Sequence, residues 1–537
     1  MLRARRDASS GSAFWLLLAG VVFVASAVTS FLSPCGFWTN SVRGVPFWHH
    51  QDPGGPYFAS AVHFFGPERY PPFIEGHPGL TLQLLIHGFL RGCHVVSGQP
   101  VAFERFVAKN IARLFSGVEV GMTALHLLSF VVLYRFAGKF LPAQPARVAV
   151  LGYATSFPAL YYLSRISPEP LLVTFFLATV LAVWAFQEHA AASRGGKAAA
   201  ALVAAGFAAA ASFFTKIHLA ALLIPYSLAQ IVFARAPGGQ RPGLRRRIGA
   251  ATLFLASSGA GLLVGSWKMN WGLFLRHLYG YMPGRDPLAP DYDPALGLTA
   301  NYLRGSRRAA AYYVRRVPEF VKLYLTPSSW EGIFAASEVL FLAAAAAGLL
   351  MYWRSHPEQR SRIAWLFSYW LLSLPILIHR ASFHYYFVPL AMLSVFASYF
   401  LCERLRNAGA SVVAVLCLHA LAIIFYVDSR STDAAIYLRS FSAYHRALGG
   451  IGYDERVARV APEPAALPPL WHLHGIYPEL IPPDVPLQRA FESFFTPALA
   501  SRPDAATAAR EHIGAVLYLD VAGPRIVFFP APPGGSN

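Results

Sequence analysis

Residues 217–247 read IHLAALLIPYSLAQIVFARAPGGQRPGLRRR. An apolar run over 217–234 ends at Arg235, Arg241, Arg245, Arg246 and Arg247, and a second apolar run over 248–267 begins directly after them. Each run is about long enough for a helix to cross the ~30 Å hydrocarbon core of a bilayer. Short loops rich in Lys and Arg stay on the cytoplasmic side. The arginine cluster therefore marks the inner end of both runs and orients the chain on either side of it.

Working outward, apolar runs recur along most of the sequence. The start, with Arg3, Arg5 and Arg6, is cytoplasmic, and residues 14–32 form a first span. Ala25-Ser26-Ala27 resembles a signal cleavage site, but the length of the stretch and the spans after it favour an uncleaved helix. Further spans are expected at 111–134, 147–163, 170–187, 198–214, 332–352, 363–378, 385–402 and 410–427, about eleven in all. Their inner ends carry Arg135 and Lys139, Arg194 and Lys197, Arg354, Arg360 and Arg362, and Arg404 and Arg406. Long outer loops cover 33–109 and 268–330. Residues 79–97 are apolar but interrupted by His87, Arg91 and Gly92, which reads as an interfacial or re-entrant helix.

Composition agrees with this class. The chain has 537 residues, 55% hydrophobic and 13% charged, with mean hydropathy +0.43, values of an integral membrane protein. The short alternating segments of a β-barrel are missing from the pattern. The net charge of +18 reports loops facing anionic lipid rather than nucleic acid. The expected fold is an all-α polytopic membrane domain over 1–430, followed by a small α+β extracytoplasmic domain over 431–537. In the latter, Ala515–Leu519 and Arg525–Phe529 read as strands split by Ala522-Gly523-Pro524. Gly261 and Gly265 form a GxxxG suited to close helix packing. Cys35 and Cys93 fall outside the cytoplasm, where a disulfide is compatible. Cys402 and Cys417 read as core residues.

The polar residues then gather on the outer face. Asp52 lies in Trp48-His49-His50-Gln51-Asp52-Pro53-Gly54-Gly55-Pro56-Tyr57, and Glu75 in Glu75-Gly76-His77-Pro78-Gly79-Leu80. Arg165, Glu169, Lys216, Arg380 and His384 join them at the outer ends of spans. The run 164–169 is expected to be exposed there. A carboxylate can take a proton from a hydroxyl nucleophile, and Arg or Lys can hold a phosphate and stabilise the charge of its departure. Plainer roles fit the same residues. Asp-Pro-Gly is turn chemistry, Glu75 suits a solvated loop, Lys216 and Arg165 suit snorkelling to headgroups, and His384 suits an aromatic belt. His49 and His50 could join Asp52 on a metal, but adjacent histidines in a strand point apart. Glu119 and Glu338 lie inside apolar spans, where carboxylates are functional candidates. A structural pairing of Glu119 with His126 suits them equally. Residues 298–323 alternate Arg304, Arg307, Arg308, Arg315, Arg316 and Lys322 with aromatic and aliphatic residues, as a basic amphipathic surface helix does.

In order along the chain stand the outer-loop Asp52, the His77-Pro78-Gly79-Leu80 run, Ala112-Arg113-Leu114-Phe115-Ser116-Gly117, and Tyr162-Leu163-Ser164-Arg165 with Pro168-Glu169-Pro170-Leu171-Leu172. Phe214-Thr215-Lys216 and His384-Tyr385-Tyr386-Phe387-Val388-Pro389-Leu390 follow. This order resembles the GT-C superfamily of integral membrane glycosyltransferases, close to its protein-mannosyltransferase and aminoarabinose-transferase branch, over about residues 10–430. The resemblance implies a polyprenyl-phosphate sugar donor and inverting transfer to an acceptor hydroxyl at the outer face of the plasma membrane. The acceptor would be a glycan, lipid or protein.

By that resemblance Asp52 is the general base, and Lys216, Arg165 and Arg380 hold the donor phosphate. Around them His77, Glu169, His384 and Tyr385 complete the substrate site. No cofactor is required, while a divalent cation is compatible. Two departures stand out. Asp52 is followed by Pro53 rather than a second acid, which leaves Glu75 as the substitute, and Gly79 stands where a second Pro is common. The alternatives are a flippase or transporter of lipid-linked sugars, and a polyprenyl-pyrophosphate glycan ligase or polymerase. A transporter places its binding residues near the midplane, whereas these concentrate at one face.

Overall fold

The computed structural model describes residues 79–100, 110–156, 166–216, 222–233, 243–266, 330–379, 387–407, 409–420, 456–460, 513–520 and 523–528. It also describes positions 14, 16–22, 24, 57, 58, 61, 62, 103, 106, 107, 159, 160, 163, 220 and 507. The stretch 298–323 and Cys35 lie outside the described residues.

The helices are α1 (Leu80–Ser97), α2 (Ile111–Ala137), α3 (Ala143–Ala154), α4 (Glu169–Ala191), α5 (Gly195–Thr215) and α6 (Leu223–Phe233). They continue as α7 (Leu244–Ser266), α8 (Trp330–Ser355), α9 (Arg360–His379), α10 (Phe387–Leu405) and α11 (Gly409–Ala420). Among the described residues, five helical stretches are long and apolar enough to cross a membrane: Gly117–Ala137 in α2, all of α4, α5 and α7, and Val388–Leu405 in α10. The chain is a multi-pass, mostly helical membrane protein. The spans expected at 147–163, 217–234 and 410–427 contain α3, α6 and α11 among their described residues.

Local chemistry accounts for the boundaries. Pro168 and Pro170 flank the first residue of α4, where a missing N–H costs nothing because first-turn donors have no partner within the helix. The α4–α5 connection turns at Ser193, a non-glycine residue with φ 56°, and Arg194 N–H closes the turn onto His189 O at 2.9 Å. Several threonine hydroxyls inside the spans are satisfied by their own helices. Thr174, Thr179 and Thr215 donate to the carbonyls four residues back at 2.8, 2.8 and 2.7 Å.

Small residues set how closely α5 and α7 approach. Gly261 and Gly265 of α7 lie against Phe207, Ala210 and Phe214 of α5, so the GxxxG packs as read from the sequence. In return, Gly206 of α5 faces the α7 backbone. A Cβ there would sit 2.8 Å from Ser258 N and 2.9 Å from Phe254 O. Gly206→Ala is therefore expected to destabilise by about 1–3 kcal/mol through overpacking. Gly259→Ala, which meets nothing within 4 Å, should be neutral or slightly stabilising because alanine is the better helix former. Thermal unfolding of both variants in detergent checks the contrast.

Most of the described cations collect at one end of the bundle. Arg135, Lys139, Arg194, Lys197, Arg245, Arg246, Arg247, Arg354, Arg360, Arg362, Arg404 and Arg406 all stand at helix ends or turns there. Beneath them lies an aromatic core. Phe136 stacks on Trp184 with centroids 5.6 Å apart, and Phe140 touches Trp184, Tyr352 and Phe396. Tyr352 Oη donates to Phe140 O at 2.9 Å. Glu188 accepts from Lys139 at 2.8 Å and from Arg362 at 3.0 Å, which ties α2, α4 and α9 together.

One cysteine reading needs revision: Cys417 is exposed on α11 rather than in the core, while Cys93 is a partly buried thiol on α1. Apolar runs do not distinguish a lipid-facing side from a protein-facing one, which is why Cys417 was misplaced.

Toward the C-terminus, β1 (Arg456–Val460), β2 (Ile513–Asp520) and β3 (Gly523–Phe528) form one sheet in that order. β2 and β3 are the two strands legible in the sequence and pair antiparallel, with Val516 opposite Val527. β1, which the sequence did not signal, adds in parallel to β2.

Candidate functional site

The end of the bundle opposite the cations holds a buried ion pair. Glu169 is the first residue of α4, and Lys216 directly follows the last residue of α5. Lys216 Nζ donates to Glu169 Oε1, and Ser167 Oγ donates to Glu169 Oε2. The side chains of Lys216 and Glu169 are only 4% and 0% exposed, so neither reaches bulk solvent.

Two features make such burial tolerable. A carboxylate at a helix N-terminus and an ammonium at a helix C-terminus each lie at the end of the macrodipole that favours their charge. The pair also neutralises itself, which an isolated buried charge cannot do. This places Lys216 inside the protein rather than snorkelling to lipid headgroups. It also corrects the expectation that the run before α4 is exposed: Ile166, Ser167, Pro168 and Glu169 are all buried. The sequence showed a charged, Pro-containing loop. It did not show that Glu169 had a partner 47 positions away.

A second strand of contacts brings the first loop to the same place. Gly79 N–H donates to Phe214 O at 3.0 Å, two residues before Lys216. Thr81 Oγ1 donates to Ala211 O at 3.2 Å. Gly79 has φ +129°, and a Cβ there would strike the buried ring of Tyr57. Only glycine holds this conformation at low cost. Proline would demand φ near −65° and would remove the donor to Phe214. The structure thus gives a physical account of glycine at position 79.

Behind Gly79, α1 is anchored by its polar residues. His87 is buried and its Nδ1 lies 2.6 Å from Ala61 O. Arg91 Nε donates to His87 Nε2 at 3.4 Å. With Nε2 accepting, Nδ1 carries the proton and donates to the carbonyl. The Arg91 guanidinium also sits 3.9 Å over the Phe103 ring. The polar interruptions read in 79–97 are therefore partnered within the protein. Their buried partners, Ala61 and Phe103, were not legible as such.

Of the residues singled out in the sequence, the structure brings Glu169 and Lys216 together. Asp52, Glu75, His77, Arg165, Arg380, His384 and Tyr385 lie outside the described residues, as do His49 and His50. Among the described residues no three His, Cys, Asp or Glu side chains cluster as a metal site. Glu119 and His126 are both buried on α2, and Glu338 lies on α8. Sequence reasoning missed Ser167, which holds the second oxygen of Glu169; a hydroxyl two residues before a helix-opening carboxylate was the available signal.

No protein-family model matches the chain, and no curated protein matches it. Among solved structures it is similar to the archaeal oligosaccharyltransferase AglB from Archaeoglobus fulgidus in complex with an inhibitory peptide and a dolichol-phosphate. The identity is 14% and the TM-score 0.48, over 94% of this chain and 69% of that one. It is also similar to a crystal structure of the Archaeoglobus fulgidus oligosaccharyltransferase in complex with Zn and sulfate. There the identity is 14% and the TM-score 0.48, over 93% of this chain and 67% of that one.

Proposed function

We propose that this chain is a GT-C-type membrane glycosyltransferase that moves a sugar from a polyprenyl-phosphate donor to an acceptor hydroxyl. The transfer takes place at the outer face of the plasma membrane, with inversion. The observation that carries this reading is the meeting of three motif segments far apart in sequence. Gly79, the described start of the His77–Leu80 motif, reaches Phe214-Thr215-Lys216 through its hydrogen bond to Phe214, and that segment reaches Pro168-Glu169-Pro170 through the buried ion pair. All three meet at the end of the bundle away from the cations. By positive-inside logic that end is extracytoplasmic, with the N-terminus inside and the C-terminal domain outside.

In this reading Asp52 accepts the proton of the acceptor hydroxyl as its oxygen attacks the anomeric carbon. The bond to the phosphate oxygen breaks, and the lipid phosphate leaves with the electron pair. Growing negative charge on that phosphate is where cations stabilise most. Lys216 is already matched by Glu169, so the pair offers donors without net charge. Arg165 and Arg380 supply the excess positive charge. Glu75 is the second acid, and His77, His384 and Tyr385 hydrogen-bond the sugar and acceptor. The reading requires no cofactor. A divalent cation, if it enters, would screen the phosphate.

The test incubates the purified full-length chain with a panel of polyprenyl-phosphate sugars and membrane acceptors, beside Asp52→Asn. Transfer by wild type and its loss in the variant is the expected result. Failure with every donor, together with measurable translocation of the lipid-linked sugar, would replace the reading with a flippase.

A further inference from the structure

At the cationic end, α2 and α3 enclose a groove of about 710 Å³. One stretch of its wall is apolar, with Val131, Tyr134, Leu141 and Ala146. The other carries Arg135 and Lys139. Val131 is 42% exposed, so its side chain turns away from the protein core. The apolar stretch of α2 ends at Ala137, and Arg135 and Lys139 bracket that point. A helix rises 1.5 Å per residue, which puts Val131 about 9 Å deeper along the axis than the end of α2 at Ala137. The groove is thus apolar at acyl-chain depth and cationic at headgroup depth.

Among the described residues, the charge at its mouth is not balanced. Lys139 and Arg362 share the single carboxylate of Glu188, at 2.8 and 3.0 Å. Arg135 lines the groove beside Lys139 and has no ion pair among the described residues, so the groove carries net positive charge there. A lone phosphodiester meets both halves of this arrangement, since its negative charge fits the mouth and its hydrocarbon fits the wall. Basic pockets between transmembrane helices bind anionic headgroups in this way.

We propose that the α2–α3 groove is a binding site for one anionic phospholipid, with its phosphate on Arg135 and Lys139 and an acyl chain along Val131 and Tyr134. The site is separate from the Glu169–Lys216 end of the bundle and does not depend on the activity assigned there.

Native mass spectrometry of the full chain, released from vesicles of mixed phosphatidylglycerol and phosphatidylcholine, tests this. The expected spectrum shows one retained phosphatidylglycerol in preference to phosphatidylcholine. Arg135→Gln should weaken that retention roughly fivefold, the factor carried by about one charge near an anionic surface. Arg135→Lys should keep it. Val131→Trp, which fills the apolar wall without touching charge, should reduce it as well. A melting temperature equal to wild type in each variant separates lost binding from lost fold. Equal retention of the two lipids, or retention unchanged in Arg135→Gln, would overturn the proposal. Retention unchanged in Val131→Trp would show that charge alone acts and would remove the groove as the site.

Discussion

Lys216→Met is expected to lower the unfolding free energy by about 3–5 kcal/mol, the usual cost of leaving one member of a buried ion pair without its partner. The variant keeps most of the side-chain volume and removes the charge, so the loss reports electrostatics rather than a cavity. Glu169 is fully buried and would keep only the Ser167 hydroxyl among the side-chain hydrogen bonds described above. The double variant Glu169→Leu/Lys216→Met removes both charges, and apolar replacement of a whole buried pair is often neutral or stabilising. It should therefore be more stable than Lys216→Met alone. Denaturation of the single and double variants in one detergent makes the comparison. A double variant as unstable as the sum of its parts would mean that the two side chains act independently.

Asp52→Asn should reduce turnover by about 10²–10⁴-fold, the range that general acid–base catalysis contributes. Asparagine preserves size and hydrogen-bonding reach but cannot accept the proton. Donor affinity should change little, because the proposed site holds the phosphate on other residues. The check is a pair of measurements on the purified variant: steady-state transfer rate and equilibrium binding of the donor lipid. A rate equal to wild type removes Asp52 as the base. A rate that falls only in step with donor affinity makes it a binding residue instead.

Much of the helical architecture was legible from hydropathy and charge. The apolar run 170–187 is the heart of α4, and the run 248–267 is α7 to within a few residues. The clusters at Arg194, Arg245 and Arg362 gather at one end, as their loop positions implied. Periodicity carries this information because a spanning helix must be apolar along its length and marked at its ends. Partner choice was less legible. Nothing local to Glu169 announces Lys216, and nothing local to Glu188 announces two cations on two other helices. Exposure was also misjudged where polarity was taken as a proxy for it. Ser167 and Glu169 are buried because they satisfy one another and Lys216, whereas Cys417 is exposed because its helix turns that side outward.

The bond from Gly79 to Phe214 spans 135 positions, and this bears on biosynthesis. The segment containing Gly79 leaves the ribosome well before α5, so the anchor for α1 does not yet exist when the early helices enter the membrane. Thr81 makes the neighbouring contact to Ala211 O and tolerates a side chain, so nascent chains arrested before residue 195 should leave a cysteine at position 81 open to thiol-reactive labelling. Arrest after residue 240, with α5 inserted, should protect it.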